Sequence, residues 1–238
     1  MTDGPRLSVC IPCYNEAAII DETAAKLTAI LPQLTPSFEI VFCNDGSGDA
    51  TAERLAALAV ADPRIVAAGY VTNRGAGYAF RTAAAQARGE VIVHMDADLA
   101  MDPRDVVPAV LQGLAQADIV LCSRYKGVSA DYPLYRRLPS QAYRLVYRAL
   151  LGLPIEDAMS GFFGFRRTLL DELPPLTMDG FEVYLELFAL AHRRGFRISE
   201  VPVRFVHQTE SGEVSVWRQG PRQLANTLRV WRLLQTRA

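Results

Sequence analysis

Five short apolar runs recur along the chain: LSVCIPC (7–13), FEIVFC (38–43), RIVAAGYV (64–71), EVIVHM (90–95) and DIVLCS (118–123). Each is bounded by polar or glycine-containing segments, the pattern of a buried strand. The intervals between them carry a helical period. Residues 17–31 place Ile19, Ile20, Leu27, Ile30 and Leu31 near one helical face, and 104–114 does the same with Val106, Val107, Val110 and Leu114. Alternation of this kind predicts an α/β fold: a mainly parallel, mixed sheet with helices on both faces.

After residue 124 the alternation ends. A polar stretch, 125–137, leads into a helix containing Leu145, Val146, Leu150 and Leu151. DAMSGFFGFRR (157–167) has the pattern of a glycine-broken strand, and GFEVYLELFALAHRRG (180–195) that of a helix closed by Gly195. RISEVPVRFV (197–206) is predicted to be an edge strand, because Pro202 has no N–H to donate within a sheet interior.

Nearly every run ends in a polar cluster: Tyr14-Asn15-Glu16, Asn44-Asp45, Asn73-Arg74, Asp96-Ala97-Asp98 and Ser123-Arg124. One such cluster is an ordinary solvated loop. Five on one edge argue for a site, since open α/β sheets bind ligands outside the carboxyl ends of their strands.

Composition narrows the classes. A chain of 238 residues that is 50% hydrophobic can bury a substantial core in one large domain, and 25 Lys+Arg against 26 Asp+Glu give no global attraction for nucleic acid. Cys10, Cys13, Cys43 and Cys122 lie in or at the ends of apolar runs, which suits buried thiols, and no second CxxC or His pair completes a zinc site around Cys10 and Cys13. The segment MTDGPRLSVC has no basic region followed by a long apolar stretch, and no eighteen consecutive apolar residues occur. A cytoplasmic location is expected, with peripheral contact at the inner face of the membrane left open.

Asp96 and Asp98 flank a single alanine after the fourth run, so an extended backbone would turn both carboxylates to one side. Close carboxylates repel unless a cation lies between them, and a hard divalent ion shared with phosphate oxygens is the simplest compensation. Asp-rich turns are the plain alternative.

The segments SVCIPCYNEAAII, IVFCNDGSGDAT, NRGAGYAFRTAAAQARGEVIVHMDADL and ADIVLCSRYKG resemble, in content and order, successive motifs of the GT-A (Rossmann-like) fold, family 2 glycosyltransferases. With DAMSGFFGFRR and FEVYLELFALAHRRGFRISEVPVRF the resemblance covers residues 7–206. It is strongest to the dolichyl or polyprenyl phosphate mannosyl- and glucosyltransferase branch. The resemblance implies a metal-dependent, inverting hexosyltransferase using Mg²⁺ or Mn²⁺. Its donor would be a nucleotide diphosphate sugar of the GDP-mannose or UDP-glucose type, and its acceptor a polyprenyl or dolichyl phosphate. Transfer to a saccharide hydroxyl and a non-catalytic nucleotide-sugar binder are the alternatives.

Carried over by position, Pro12, Tyr14, Asn15 and Glu16 would line the nucleoside pocket, Asp45 would accept from the base, and Asp96 and Asp98 would hold metal and diphosphate. Asp157 matches the family's acidic residue near the reacting sugar, with Glu156 as the competing candidate. It would take a proton from a hydroxyl acceptor, or orient the sugar and help hold the metal for a phosphate acceptor, which is already ionised. Arg124 would grip the acceptor phosphate with Arg137 or Arg136, because guanidinium groups bind phosphate bidentately.

Three departures bear on the acceptor side: Phe163 stands where the family often has arginine, Arg144 where the branch often has asparagine, and the loop 207–217 lacks the usual basic companions of a donor lid. Residues 1–216 are expected to form the catalytic domain and 217–238 an amphipathic helix. In that helix Leu224, Leu228, Trp231 and Leu234 are flanked by Arg222, Arg229, Arg232 and Arg237, which suits either a bilayer surface or packing on the domain. Gly75-Ala76-Gly77 opens a GxGxx pattern, but Phe80 replaces the third glycine and the pattern follows the third run, which sets aside a dinucleotide fingerprint.

Overall fold

The computed structural model describes residues 6–123, 134–204 and 216–236, with backbone alone at 134–142 and 216–221. The elements run β1 (Leu7–Cys13), α1 (Ile20–Leu34), β2 (Phe38–Asp45), α2 (Thr51–Ala61), β3 (Ile65–Tyr70), α3 (Ala76–Gln86), β4 (Val91–His94), α4 (Pro103–Gly113), β5 (Ile119–Ser123), α5 (Leu134–Leu151), β6 (Phe163–Arg166), α6 (Leu169–Glu172), α7 (Glu182–Arg193), β7 (Ile198–Pro202) and α8 (Val216–Thr236). Every predicted strand is present. The strands form one seven-stranded sheet in the order β3-β2-β1-β4-β6-β5-β7. β7 lies at an edge, as its proline requires.

Strand alternation divides the core between the two faces. Val9 and Ile11 pack with Val91, Val93 and the apolar faces of α1 and α4 on one side, and Cys10 and Ile92 with Phe80, Phe163 and Phe188 on the other. Cys10 and Cys13 fall in opposite layers, so the CxxC spacing cannot bring both thiols to one ion. Burial raises the thiols of Cys43 and Cys122, each to about 12.

Six strands run in one direction. β6 opposes them, pairing antiparallel with β4 (His94 opposite Phe163, Ile92 opposite Phe165) and with β5 (Leu121 opposite Phe163). Its start, not its end, therefore lies at the carboxyl edge of β4. The strand is shorter than the predicted 157–167. Ahead of it the Ser160 amide donates to the Asp157 carbonyl at 3.0 Å and the Ser160 hydroxyl to Cys122 O at 2.7 Å, which turns the chain instead of extending it.

Helix starts also shift for local reasons. α1 begins at Ile20 and not at residue 17, because the amides of Glu16 and Ala17 donate to the side chains of Thr51 and Asp49. α4 starts where predicted: Asp102 accepts from the Arg104 amide at 2.8 Å and Pro103 occupies the first turn. α8 packs against α5 and α7 through Thr227, Val230 and Leu234, all buried, with Trp231 partly covered. Leu224 is exposed, so the packed stripe is rotated from the one expected. Among the described residues no helix is long and apolar enough to cross a membrane.

At the amino edge Glu39 is 1% exposed and accepts from the Ser8 hydroxyl (2.6 Å), the Arg88 amide (2.6 Å) and the Arg88 guanidinium (2.7 Å), tying β1, β2 and the entry to β4. Glu39→Ala leaves the buried Ser8 hydroxyl and the Arg88 amide without this acceptor, while the exposed Arg88 guanidinium turns to water. The substitution is expected to lower unfolding free energy by roughly 2–4 kcal/mol, measured by urea denaturation.

Candidate active site

A cleft of about 750 Å³ opens at the carboxyl edge of β1, β2 and β4. Pro12, Tyr14, Glu16, Asp45, Asp96 and Asp98 all line it, together with Asn73, Gly75 and Ala76 at the entry to α3 and Phe181 and Tyr184 from α7 and the residue before it. Among the described residues that line it, four are carboxylates and none is Lys or Arg. Glu16 registers the resulting field: its carboxyl is raised by partial burial first and then by Asp98 and Asp49.

Asp96 and Asp98 do not reach the cleft by strand alternation. β4 ends at His94, and 96–99 form a turn closed by the Leu99 amide on Asp96 O (3.1 Å), with Leu99 in the left-handed region at φ 48°. Asp98 Oδ1 then accepts from the Ala100 amide at 3.0 Å. The extended-backbone expectation is corrected accordingly, because the closing hydrogen bond, not the pleat, sets how the two carboxylates face the cleft. Asn15, in the loop after β1, is also left-handed at φ 57°; it and Leu99 are the only non-glycine residues with positive φ among those described.

Asn15 itself is not a lining residue. Its side-chain oxygen accepts from the Gly48 amide at 2.9 Å and its own amide donates to Ser47 Oγ at 3.0 Å, joining the loops after β1 and β2. Asp45 is 3% exposed, and its carboxylate already accepts from four protein donors: the Tyr70 hydroxyl (2.7 Å), Asn73 Nδ2 (3.0 Å), the Arg74 amide (2.8 Å) and the Gly75 amide (2.9 Å). A carboxylate offers about four such positions, so Asp45 shapes the 70–75 loop as well as lining the cleft.

That loop carries a second contact. Gly77 N donates to Asp179 O at 2.7 Å, and a Cβ on Gly75 would stand 2.5 Å from the same oxygen. Only glycine admits the 178–180 segment so closely, and this docking delivers Phe181 and Tyr184 to the cleft. Buried Glu186 secures the other end of the segment by accepting from the Thr177 and Met178 amides at 2.9 Å. Phe181 and Tyr184 escaped the sequence analysis; the only local sign was an aromatic directly after Gly180 at a helix start.

Asp157 is 2% exposed and lies outside the lining set. Its amide donates to Glu200 Oε1 at 2.7 Å, the oxygen that also accepts from the Glu156 amide at 2.9 Å. Glu156 faces Arg144 at 3.4 Å, an ion pair at the position where arginine departs from the branch pattern. Phe163 is a core residue stacked on His94, which accounts for an aromatic at that place. Arg124, the side chains of Arg136 and Arg137, Arg237 and residues 207–215 of the expected lid lie outside the described residues.

Four cleft carboxylates with oxygen donors only suit a hard divalent cation. Among the described residues no group of three or more His, Cys, Asp and Glu could hold a metal. Two carboxylates plus phosphate oxygens from a ligand therefore form the donor set that fits, the usual arrangement for Mg²⁺ at nucleotide sites.

The carboxyl edge of an open α/β sheet, where this acidic, aromatic-walled cleft lies, is where such folds bind their ligands. Residues 8–174 match the model of Glycosyl transferase family 2, and the chain belongs to that family. It is 32% identical over 212 residues to dolichol-phosphate mannosyltransferase of Saccharomyces cerevisiae, covering 85% of this chain and 78% of the relative. It is 30% identical over 215 residues to undecaprenyl-phosphate mannosyltransferase of Micrococcus luteus, covering 87% and 86%. Coverage of the relatives' own length varies, falling to 33% for one archaeal glycosyltransferase. A mannosyltransferase from Pyrobaculum calidifontis, solved with GDP-Man and Mn²⁺, superposes with a TM-score of 0.65 at 22% identity, over 96% of this chain and 64% of that one. The fold is GT-A.

Asp45→Ala should free the loop it binds. The Arg74 and Gly75 amides are expected to exchange with solvent at least tenfold faster, the loss of roughly one charge-assisted hydrogen bond, read by hydrogen–deuterium exchange. Unchanged protection would remove Asp45 from this role.

Proposed function

We propose that this protein is an inverting hexosyltransferase, moving a mannosyl- or glucosyl-type group from a nucleoside diphosphate sugar to a polyprenyl phosphate at a membrane surface. The observation that carries the proposal is the cleft itself: Glu16, Asp45, Asp96 and Asp98 face one cavity at the carboxyl edge of the sheet. The activities for which the yeast and Micrococcus relatives are named support the acceptor class.

In this reading Pro12, Tyr14 and Glu16 form the nucleoside wall and Asn15 holds that wall's loop in place. Asp45 shapes the opposite wall and presents what acceptor capacity remains to the base. Asp96 and Asp98 hold Mg²⁺ or Mn²⁺, and the Pyrobaculum structure containing Mn²⁺ supports a divalent ion. Such an ion, when bound, offsets the charge that develops on the departing diphosphate.

The acceptor phosphate oxygen attacks the anomeric carbon from the face opposite the diphosphate, forming the new C–O bond as the bond to the diphosphate breaks. A phosphate is already ionised near neutral pH, so no strong base is needed, and Asp157 serves to orient the sugar. Arg124 and Arg137 hold the acceptor phosphate as bidentate donors. The outward face of α8, with Arg222, Arg232 and exposed Leu224, supplies peripheral contact with an anionic bilayer.

The test is transfer of labelled sugar from GDP-mannose and UDP-glucose to polyprenyl phosphate in detergent, with Mn²⁺ or Mg²⁺. Label is expected in the lipid fraction, abolished by chelator. Asp98→Ala, checked for folding by circular dichroism, should lose about a hundredfold or more in kcat, the scale of removing one charge-stabilising contact. Arg124→Ala should raise KM for the phosphate acceptor at least tenfold and leave donor binding unchanged, a loss of about 1.4 kcal/mol. Donor binding without lipid labelling would sink the proposal in favour of a saccharide acceptor or a binding-only protein.

A further inference from the structure

His94 is completely buried at the end of β4, two residues before Asp96, and the chemistry described so far does not use it. Its ring lies flat on Phe163 (centroids 4.9 Å apart, planes within 5°) and meets the edges of Phe80 and Tyr184 at 5.2 and 4.8 Å. Both ring nitrogens are engaged. Nδ1 is 2.7 Å from the Gly161 carbonyl oxygen, and Nε2 is 2.8 Å from the Tyr184 hydroxyl.

These partners determine the proton positions. A carbonyl oxygen can only accept, so Nδ1 carries the hydrogen. The ring is neutral in this apolar setting, so Nε2 accepts and the Tyr184 hydroxyl donates to it. The hydroxyl hydrogen points into the protein, leaving only lone pairs for other partners.

Gly161 connects this ring to the cleft. A Cβ built on Gly161 would lie 2.1 Å from Asp96 Oδ2 and 2.5 Å from Oδ1, so the Asp96 carboxylate rests directly on the Gly161 backbone. The His94 ring thus holds, through one atom each, the backbone that seats Asp96 and the Tyr184 side chain, which also lines the cleft.

We propose that His94 is a positioning residue for the cation site, acting as a neutral, Nδ1-protonated clamp that holds the Gly161 backbone under the Asp96 carboxylate and the Tyr184 hydroxyl at the cleft lining. The inference rests on the reading of Asp96 and Asp98 as cation ligands. Outer partners of metal ligands commonly contribute tenfold to a hundredfold in metal affinity.

The experiment uses the full chain with GDP present. His94→Phe keeps an aromatic stack on Phe163 and removes both hydrogen bonds; Tyr184→Phe is the gentler variant, removing one hydroxyl. Mn²⁺ binding, measured by electron paramagnetic resonance on protein shown to be folded, should weaken about tenfold or more in His94→Phe and by a smaller factor in Tyr184→Phe. A purely structural role would lower melting temperature and leave Mn²⁺ affinity per folded molecule unchanged.

Nitrogen-15 spectra should show one of the three histidines as the Nδ1-protonated neutral tautomer, a signal missing in His94→Phe. Wild-type Mn²⁺ affinity in both variants, or an Nε2-protonated ring, would overturn the proposal. Asp98→Ala separates the two readings. If it abolishes Mn²⁺ binding while the His94 and Tyr184 variants bind normally, the clamp alone is wrong. If it binds Mn²⁺ as the wild type does, the cation site fails and the clamp with it.

Discussion

The arrangement of this site depends on one strand running against its neighbours. β6 lies antiparallel between β4 and β5, and its pairing of Phe163 with His94 places the start of the strand at the edge where β4 delivers its aspartates. Had β6 been parallel, Arg166 and not Gly161 would have come to that edge. The Gly161 backbone now packs on the Asp96 carboxylate, and the 157–160 turn ahead of it is held to β5 by Ser160 and to β7 by Glu200. Asp96 and the 157–161 segment, some sixty positions apart in the sequence, come together because of this reversal.

Acidic residues in this protein have two distinct physical roles. Glu39, Asp45 and Glu186 are buried, and each accepts from backbone amides that no strand or helix satisfies. Such charge-assisted hydrogen bonds hold irregular segments rigid at a cost in desolvation that the donors offset. Glu16, Asp96 and Asp98 instead crowd a common cavity, where partial burial first, and then the charges of Asp98 and Asp49, raises the Glu16 carboxyl. The first group makes the loops that carry the second. Asp45 holds the 70–75 loop, whose Gly75, together with Gly77 of α3, admits the 178–180 backbone, which in turn positions α7 and its tyrosine.

Family membership and fold place different limits on the reading of this cleft. The match over residues 8–174 spans the donor half and the turn containing Asp157, whereas α7, β7 and α8 lie beyond it. Those later elements supply Phe181 and Tyr184 to the cleft, Glu200 to the Asp157 amide, and a packed helix carrying arginines on its outward face.

What the sequence determined by itself was the α/β alternation, all seven strands, and the collection of polar residues at one sheet edge. These follow from local hydrophobic period and from the chain's need to turn after each buried strand, and neither requires knowledge of the partners. Tertiary structure alone decided the direction of β6, since an apolar strand alternates its side chains identically whichever way it runs. It also decided that Asp96 and Asp98 meet through a turn, that Asn15 braces a loop, that Asp45 spends most of its acceptor capacity on the protein, and that Tyr184 joins the cleft. Each of these is a hydrogen bond or contact whose two ends come together only when the sheet has assembled.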